Sequence, residues 1–109
     1  MDLINKPKNN WGNILWSFIH TITVTNNYEN TLTVKKILGN ITNIIPCGSC
    51  IGTYKIYLER LGSLDLTQPM VLFRWSVDLH NAVNKKLGKP EWNYEDARKH
   101  WSKQVPKII

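Results

Sequence analysis

The sequence contains only two cysteines, and it has no apolar stretch of the roughly 20 residues that a membrane-spanning helix needs. So few cysteines exclude a small scaffold stapled by several disulfides. The first ten residues are polar and lack the hydrophobic region of a signal peptide, so we expect no secretory route. Acidic residues are also few, because eight Asp and Glu oppose fourteen Lys and Arg, and the net charge is +6.

The length of 109 residues suffices for one domain with a hydrophobic core. Hydrophobic residues make up 42% and charged residues 20%, a balance that excludes a disordered chain. We therefore expect a single domain over residues 1–109, of which residues 1–9 form a flexible N-terminal segment. The positive charge could serve nucleic acid, but the cations are spread along the chain, so we favour an ordinary basic surface and expect no nucleic-acid partner.

Apolar residues recur at helical spacing through nearly the whole chain. The first helix should run from its N-caps, Asn9 and Asn10, to a break at residues 26–27. The second helix should carry its apolar stripe over residues 34–45 and end at Pro46, because the residue before a proline disfavours the helical conformation. These two segments already predict an α-helical rather than a mixed fold.

Three more helices complete the prediction. The third should open at the two cysteines and close at Gly62, where a C-terminal glycine belongs. The fourth should have Pro69 in its first turn and stop at Gly88, and a short fifth should span residues 94–103. Because the loops are short, neighbouring helices should be antiparallel, which gives an all-α fold of the bundle type.

The two cysteines form a single Cys47-Gly48-Ser49-Cys50 motif. Thiols at this spacing can close a redox-active disulfide, and a helix N-terminus lowers the pKa of the first thiol. Structural zinc needs four ligands, and the three histidines lack the spacing of a zinc finger, so we predict no metal. A thioredoxin-like frame would place a strand before the motif, where we predict a helix; an inert pair of buried thiols is the remaining alternative.

Two other segments combine histidine with polar or aromatic neighbours. His80 and Asn84 are four residues apart on the fourth helix, with Asn81 beside them, so this face could bind a nucleotide through amides and nearby lysines. From these residues alone we favour the other interpretation, a solvated helix face that ends at Gly88 and Pro90. Trp16 and His20 share a face of the first helix, where such a pair is more often part of a packed core or a cap than of a ligand site.

Taken together and in this order, the three segments resemble the Erv/ALR family of FAD-linked sulfhydryl oxidases. The family pattern W-G-x-x-x-W-x-x-x-H corresponds to residues 11–20, C-x-x-C to residues 47–50, and W-x-x-x-x-H-N-x-V-N-x-K-L-G-K-P to residues 75–90. The last motif is the most specific, because so many set positions rarely coincide by chance. The resemblance implies a four-helix bundle with a short fifth helix that binds FAD at the bundle mouth.

The resemblance also implies which residues act. Side chains and backbone of the first, fourth and fifth helices would bind FAD; the residues carried over are Gly12, Trp16, His20, His80, Asn81, Val83, Asn84, Lys86, Lys89 and Trp101. A substrate dithiol would reduce the Cys47–Cys50 disulfide, with Cys47 as the attacked sulfur. Cys50 would pass the electrons to FAD, and dioxygen would take them up as hydrogen peroxide.

Partners are implied by the same resemblance. Larger members carry a second, shuttle cysteine pair on a tail, and this chain has none, so the substrate should be a separate dithiol protein, for which a thioredoxin-like protein is one candidate. The compact form resembles viral members, which implies the host cytoplasm or the virion as its location. The family pairs as homodimers through the first two helices, which implies a homodimer here.

Two alternative functions predict other behaviour. A basic nucleic-acid-binding module would have no chromophore, and an inactive flavin-binding relative would be coloured without consuming oxygen.

Overall fold

A computed structural model of the chain describes residues 9–27, 29–41 and 51–103. Five α-helices occupy this part of the chain: α1 Asn9–Val24, α2 Thr31–Asn40, α3 Ile51–Gly62, α4 Val71–Leu87 and α5 Tyr94–Ser102. No strand occurs within these residues, so the predicted all-α class is confirmed. None of the described helices has both the length and the apolar character needed to cross a bilayer.

The break between α1 and α2 lies where the sequence predicts it. The Asn27 side chain produces it, because its Oδ1 accepts the backbone N–H groups of Glu29 and Asn30 at 2.9 and 3.0 Å. The prediction of Asn9 and Asn10 as N-caps is wrong, since both already belong to α1 and a cap residue has a non-helical backbone. The predicted helix end at Pro46 and the predicted helix start at the cysteines lie outside the described residues.

The boundaries around the α3–α4 loop differ from the prediction at two positions. Gly62 is the last residue of α3, and its φ lies outside the left-handed region, so it is not a C-terminal cap of that kind. Pro69 precedes the fourth helix rather than opening it, because Met70 adopts a left-handed conformation and α4 begins at Val71. The predicted stop at Gly88 is confirmed: its φ is 70°, and its N–H bonds the carbonyl of Lys85 at 3.3 Å.

The last helix, α5, matches its predicted range to within one residue. The side chain of Asn93 caps it by accepting the N–H of Asp96 at 2.8 Å. Acidic residues lie in its first turn and basic ones in its last turn, and both arrangements complement the helix dipole. The cap and the charges define where α5 begins, and thereby where Trp101 falls.

Two packed clusters share α4 between them. The larger cluster is mainly aliphatic and joins α1, α2, α3 and α4; its buried members are Ile19, Val34, Leu38, Ile41, Tyr54, Leu61, Leu72, Trp75 and Leu79. The smaller cluster attaches α5 to α4 through Phe73, Val77, Ala97 and Trp101. The candidate site lies between these two clusters, where α1, α4 and α5 meet.

Candidate functional site

Four of the predicted site residues form one ring cluster: Trp16, His20, His80 and Trp101. The rings of Trp16 and His80 stack at 4.0 Å between centroids with 7° between their planes. His20 stacks on His80 at 5.0 Å and on Trp101 at 4.7 Å. The Nε2 atom of His20 also lies 2.8 Å from Nδ1 of His80, which is a hydrogen bond between two imidazoles. Three helices therefore bring together residues that are distant in the sequence.

Both imidazoles of this ring cluster are uncharged at neutral pH. Burial is the main cause that lowers the pKa of His20 to about 3, and the neighbouring His80 and His100 contribute to the same shift. Burial likewise lowers the pKa of His80 to about 4, with a smaller contribution from the charge of Lys89. Burial disfavours the charged form of an imidazole because a protein interior solvates an ion poorly. The ring cluster thus offers flat, neutral surfaces rather than a positive charge.

Two buried hydroxyls lie behind the histidines, and sequence reasoning missed both. Ser76 Oγ is 3.0 Å from Nδ1 of His20, and Thr23 Oγ1 is 3.1 Å from Ser76 Oγ. Both side chains have no exposed surface. Their spacing from the histidines is a signal that was available, because Thr23 follows His20 by three residues and Ser76 precedes His80 by four, which are positions on one helix face.

The predicted asparagines on α4 are engaged with the loop that leads to α5. The side-chain amide of Asn81 makes two hydrogen bonds with the backbone of Trp92. Its Nδ2 donates to the Trp92 carbonyl at 2.8 Å, and its Oδ1 accepts the Trp92 N–H at 2.7 Å. Asn84 donates to the carbonyl of Pro90 at 3.3 Å. These bonds hold the loop against α4 and so position α5. A direct role for either amide in binding a nucleotide stays a prediction.

Trp101 contains the one polar side-chain atom in the described part of the chain that is buried without a hydrogen-bond partner, its Nε1. The residue is only 7% exposed. A buried donor without a partner costs about 1–3 kcal/mol, and native proteins rarely leave one unpaired. The indole N–H of Trp101 is therefore a donor for which the described residues supply no acceptor.

The remaining predicted site residues lie around this ring cluster with different exposure. Val83 is buried on α4, whereas Lys86 and Lys89 are exposed. The charge of Lys89 is felt by His80. At Gly12, half-buried in α1, the position of an added Cβ has no neighbouring atom within 4 Å. Gly12 and Lys86 thus show no described contact with the rings.

Cys47 and Cys50 lie outside the described residues. The helix directly after them in the chain, α3, begins at Ile51, and Tyr54 stands one turn into it. The Tyr54 ring is buried and stacks on Trp16 at 6.0 Å with 17° between the planes. The first turn of α3 therefore packs against the ring cluster.

Comparison with known proteins decides the family. A sequence profile described as the Erv1 / Alr family matches residues 13–104 of this chain. The chain belongs to the Erv1/Alr family. The Erv1/Alr match covers all five described helices apart from the first four residues of α1.

Individual Erv1/Alr relatives are distant in sequence but similar in fold. The "Probable FAD-linked sulfhydryl oxidase" of Acanthamoeba polyphaga mimivirus is 28% identical over 93 residues, covering 80% of this chain and 65% of that protein. The "Mitochondrial FAD-linked sulfhydryl oxidase" of Schizosaccharomyces pombe is 28% identical over 102 residues, covering 89% and 54%. The chain thus spans less than two thirds of either relative's length. The crystal structure of the yeast Erv1 core superposes with a TM-score of 0.74 at 21% identity, covering 97% of this chain and 93% of the other, which supports the bundle fold.

Proposed function

We propose that this Erv1/Alr chain is an FAD-dependent sulfhydryl oxidase that forms disulfide bonds in a dithiol substrate. The observation that carries the proposal is the ring cluster of Trp16, His20, His80 and Trp101, with its neutral imidazoles and its unpaired indole donor. Such a group of flat surfaces is suited to a flat cofactor. The family match and the names of the relatives agree with this chemistry.

The residues present fit FAD by their chemistry. Nε1 of Trp101 needs an acceptor, and the rings and carbonyls of a flavin adenine dinucleotide provide several. Neutral histidine and tryptophan faces suit stacking, and Lys86 and Lys89 suit the pyrophosphate because cations pair with phosphate oxygens. When bound, FAD would accept two electrons from the reduced cysteine pair and deliver them to dioxygen, giving hydrogen peroxide.

The cysteines would carry the thiol exchange. A substrate thiolate attacks the Sγ of Cys47 in the Cys47–Cys50 disulfide, and Cys50 leaves as a thiolate. The second substrate thiol then attacks the mixed disulfide, which closes the substrate disulfide and leaves Cys47 and Cys50 as a dithiol. Two electrons and two protons have moved from the substrate to the enzyme. Cys50 directly precedes α3, whose first turn packs on Trp16, and this proximity supports its role nearer the cofactor.

An absorption spectrum and an oxygen electrode test the proposal. The purified protein should be yellow and should consume oxygen when dithiothreitol is added. Cys50→Ser should abolish turnover, by at least about 1000-fold, with FAD still bound, because the ring cluster is untouched. Ser63→Ala, at an exposed hydroxyl that bonds only the carbonyl of Arg60, is the control and should leave turnover unchanged. A colourless protein that takes up no added FAD would reject the proposal.

We also propose a homodimer formed through α1 and α2. Ile14 and Phe18 are four residues apart on one face of α1, and Ile14 is 72% exposed. Leu32 adds exposed apolar surface on α2. Large exposed apolar side chains in neighbouring helices are typical of protein interfaces, and a second copy presents the same surface.

Light scattering after size-exclusion chromatography tests the dimer. Ile14→Asp should shift the mass from two chains to one, because it buries a charge in the interface. Ile56→Asp places the same charge on α3, at a residue 53% exposed, and should leave the mass unchanged. A wild-type mass of one chain at micromolar concentration would contradict the dimer.

The proposed substrate rests on the thiol chemistry, and the proposed location rests on the viral relative. The substrate would be a dithiol protein, with a thioredoxin-like protein as one candidate. The viral relative supports the host cytoplasm or the virion as the place of action. Trapping a mixed disulfide on Cys47 in Cys50→Ser, followed by mass spectrometry, would identify the partner. A mixed disulfide that forms in Cys47→Ser and not in Cys50→Ser would contradict the assignment of Cys47.

A further inference from the structure

The buried hydroxyls of Thr23 and Ser76 have no part in the proposed function. Both lie on the inner side of the histidine pair, with no exposed surface. Ser76 Oγ makes three close contacts: the carbonyl of Phe73 at 2.6 Å, Nδ1 of His20 at 3.0 Å and Oγ1 of Thr23 at 3.1 Å. Ser76 has one hydroxyl hydrogen for these three contacts. The chemistry of each partner therefore determines which contact contains it.

The hydrogen of Ser76 belongs to the Phe73 carbonyl. A carbonyl oxygen can only accept, and two oxygens at 2.6 Å with no hydrogen between them would repel. The hydroxyl oxygen of Ser76 is then left with two lone pairs. By the same reasoning the hydrogen of Thr23 belongs to the carbonyl of Ile19 at 2.8 Å, so Thr23 supplies none to Nδ1 of His20. The 3.0 Å contact between Ser76 Oγ and Nδ1 of His20 can then only be filled by a hydrogen on Nδ1. Ser76 therefore selects the Nδ1–H form of His20.

This choice passes from His20 to His80. A neutral imidazole that carries its hydrogen on Nδ1 has a lone pair on Nε2. Only one hydrogen fits in the 2.8 Å contact between Nε2 of His20 and Nδ1 of His80, so His80 must donate it. His80, also neutral, is left with a lone pair on its own Nε2, to which no described residue donates a hydrogen bond.

We propose that Ser76 is a positioning residue that holds both histidines as Nδ1–H tautomers and so presents Nε2 of His80 as a hydrogen-bond acceptor. The tautomers follow from the contacts alone; the ligand rests on the proposed function. An acceptor at this position binds a hydrogen of an amino or hydroxyl group, and adenosine carries both. It repels a phosphate or carbonyl oxygen, because both atoms can only accept. The histidine pair thus selects a ligand group that donates a hydrogen bond, while Lys86 and Lys89 supply the positive charge for its phosphates.

Nitrogen NMR of the FAD-loaded protein tests the tautomers directly. In protein labelled with ¹⁵N-histidine, long-range ¹H–¹⁵N correlations distinguish a ring nitrogen that carries hydrogen from one that does not. His100→Gln, at an exposed histidine, simplifies the spectrum to the two rings in question. Both rings should carry hydrogen on Nδ1 and none on Nε2. Hydrogen on Nε2 of either ring, or an average of the two forms, would overturn the proposal.

The variant Ser76→Ala removes the acceptor with little change of shape. The Nδ1–H preference of both rings should be lost, and the dissociation constant for FAD should rise about three- to tenfold, the usual effect of one hydrogen bond. Ser63→Ala removes an exposed hydroxyl and should change neither quantity. Unchanged tautomers in a folded Ser76→Ala protein would remove Ser76 from this role.

The two proposals can fail separately. The predicted tautomers in a protein that consumes no oxygen would support the role of Ser76 and contradict the oxidase. Oxygen consumption together with Nε2–H rings would support the oxidase and contradict the role of Ser76.

Discussion

The two buried faces of α4 have opposite chemistry. Leu72, Trp75 and Leu79 face the larger cluster, where packing is almost wholly apolar. Ser76 and His80 face α1 and α5, where buried polar groups meet in a chain of hydrogen bonds. Apolar burial stabilises the fold directly, whereas burying a polar group costs free energy unless it is bonded. The apolar face therefore holds the bundle together, and the polar face is the one for which we propose a binding role.

Leu79→Ala should have the largest effect on stability. Leu79 is fully buried on the apolar face, and such a truncation costs about 2–5 kcal/mol in lost burial and cavity formation. The melting temperature should fall by roughly 10 °C or more, measured by circular dichroism. Leu87→Ala, at an exposed position of the same helix, is the control and should change it little. Equal effects of the two changes would contradict the apolar face as the source of stability.

The polar face should make stability depend on pH. The pKa of His20 is about 3 in the folded chain and 6.5 by its ordinary value, so the unfolded chain binds the extra proton as the pH falls below about 6.5. The free energy of unfolding should therefore decrease by about 2 kcal/mol from pH 7 to pH 5 through His20 alone. Urea unfolding measures it. His20→Gln should remove this part of the slope and His100→Gln should retain it; a slope that His20→Gln leaves intact would contradict the buried neutral imidazole.

Trp101→Phe should have the smallest effect on the fold and a selective one on the cofactor. The phenyl ring retains the stacking face and removes the unpaired N–H, so the FAD dissociation constant should rise about three- to tenfold while the melting temperature of FAD-free protein stays within about 3 °C. Trp75→Phe is the contrast on the apolar face. Its Nε1 donates to the carbonyl of Tyr57 at 2.7 Å, so this change should lower stability and leave FAD affinity unchanged. Fluorescence titration with FAD would measure both, and equal affinity losses would contradict the division.

Helical periodicity predicted the number and order of the helices, because the apolar face of each helix is a local property of its sequence. The ends were less predictable. Pro69 and Gly62 have the composition of helix ends, but the turn depends on the left-handed Met70 and on Ser63, whose hydroxyl bonds the carbonyl of Arg60. The prediction at Gly88 was confirmed because the cap depends on the left-handed backbone conformation of that glycine itself.

The site was predictable only as far as its residues form motifs. Trp16, His20 and His80 belong to such motifs, and the structure brings them together with Trp101. Ser76 and Thr23 do not, since a small hydroxyl residue in an apolar helix face is typical of core packing. Their spacing places each on the same helix face as a histidine, but the contact between Ser76 and His20 joins two helices, and sequence spacing within one helix cannot show such a contact.

The stacking of His20 on Trp101 joins the first described helix to the last. During synthesis, α1 is made well before α5, so one side of His20 stays uncovered until α5 has been made and packs against it. The contact also joins two residues that are far apart in the sequence, and such contacts should form late because their closure entropy is high. Cofactor capture should therefore be one of the final events in the maturation of the protein, after the apolar side of the bundle is complete.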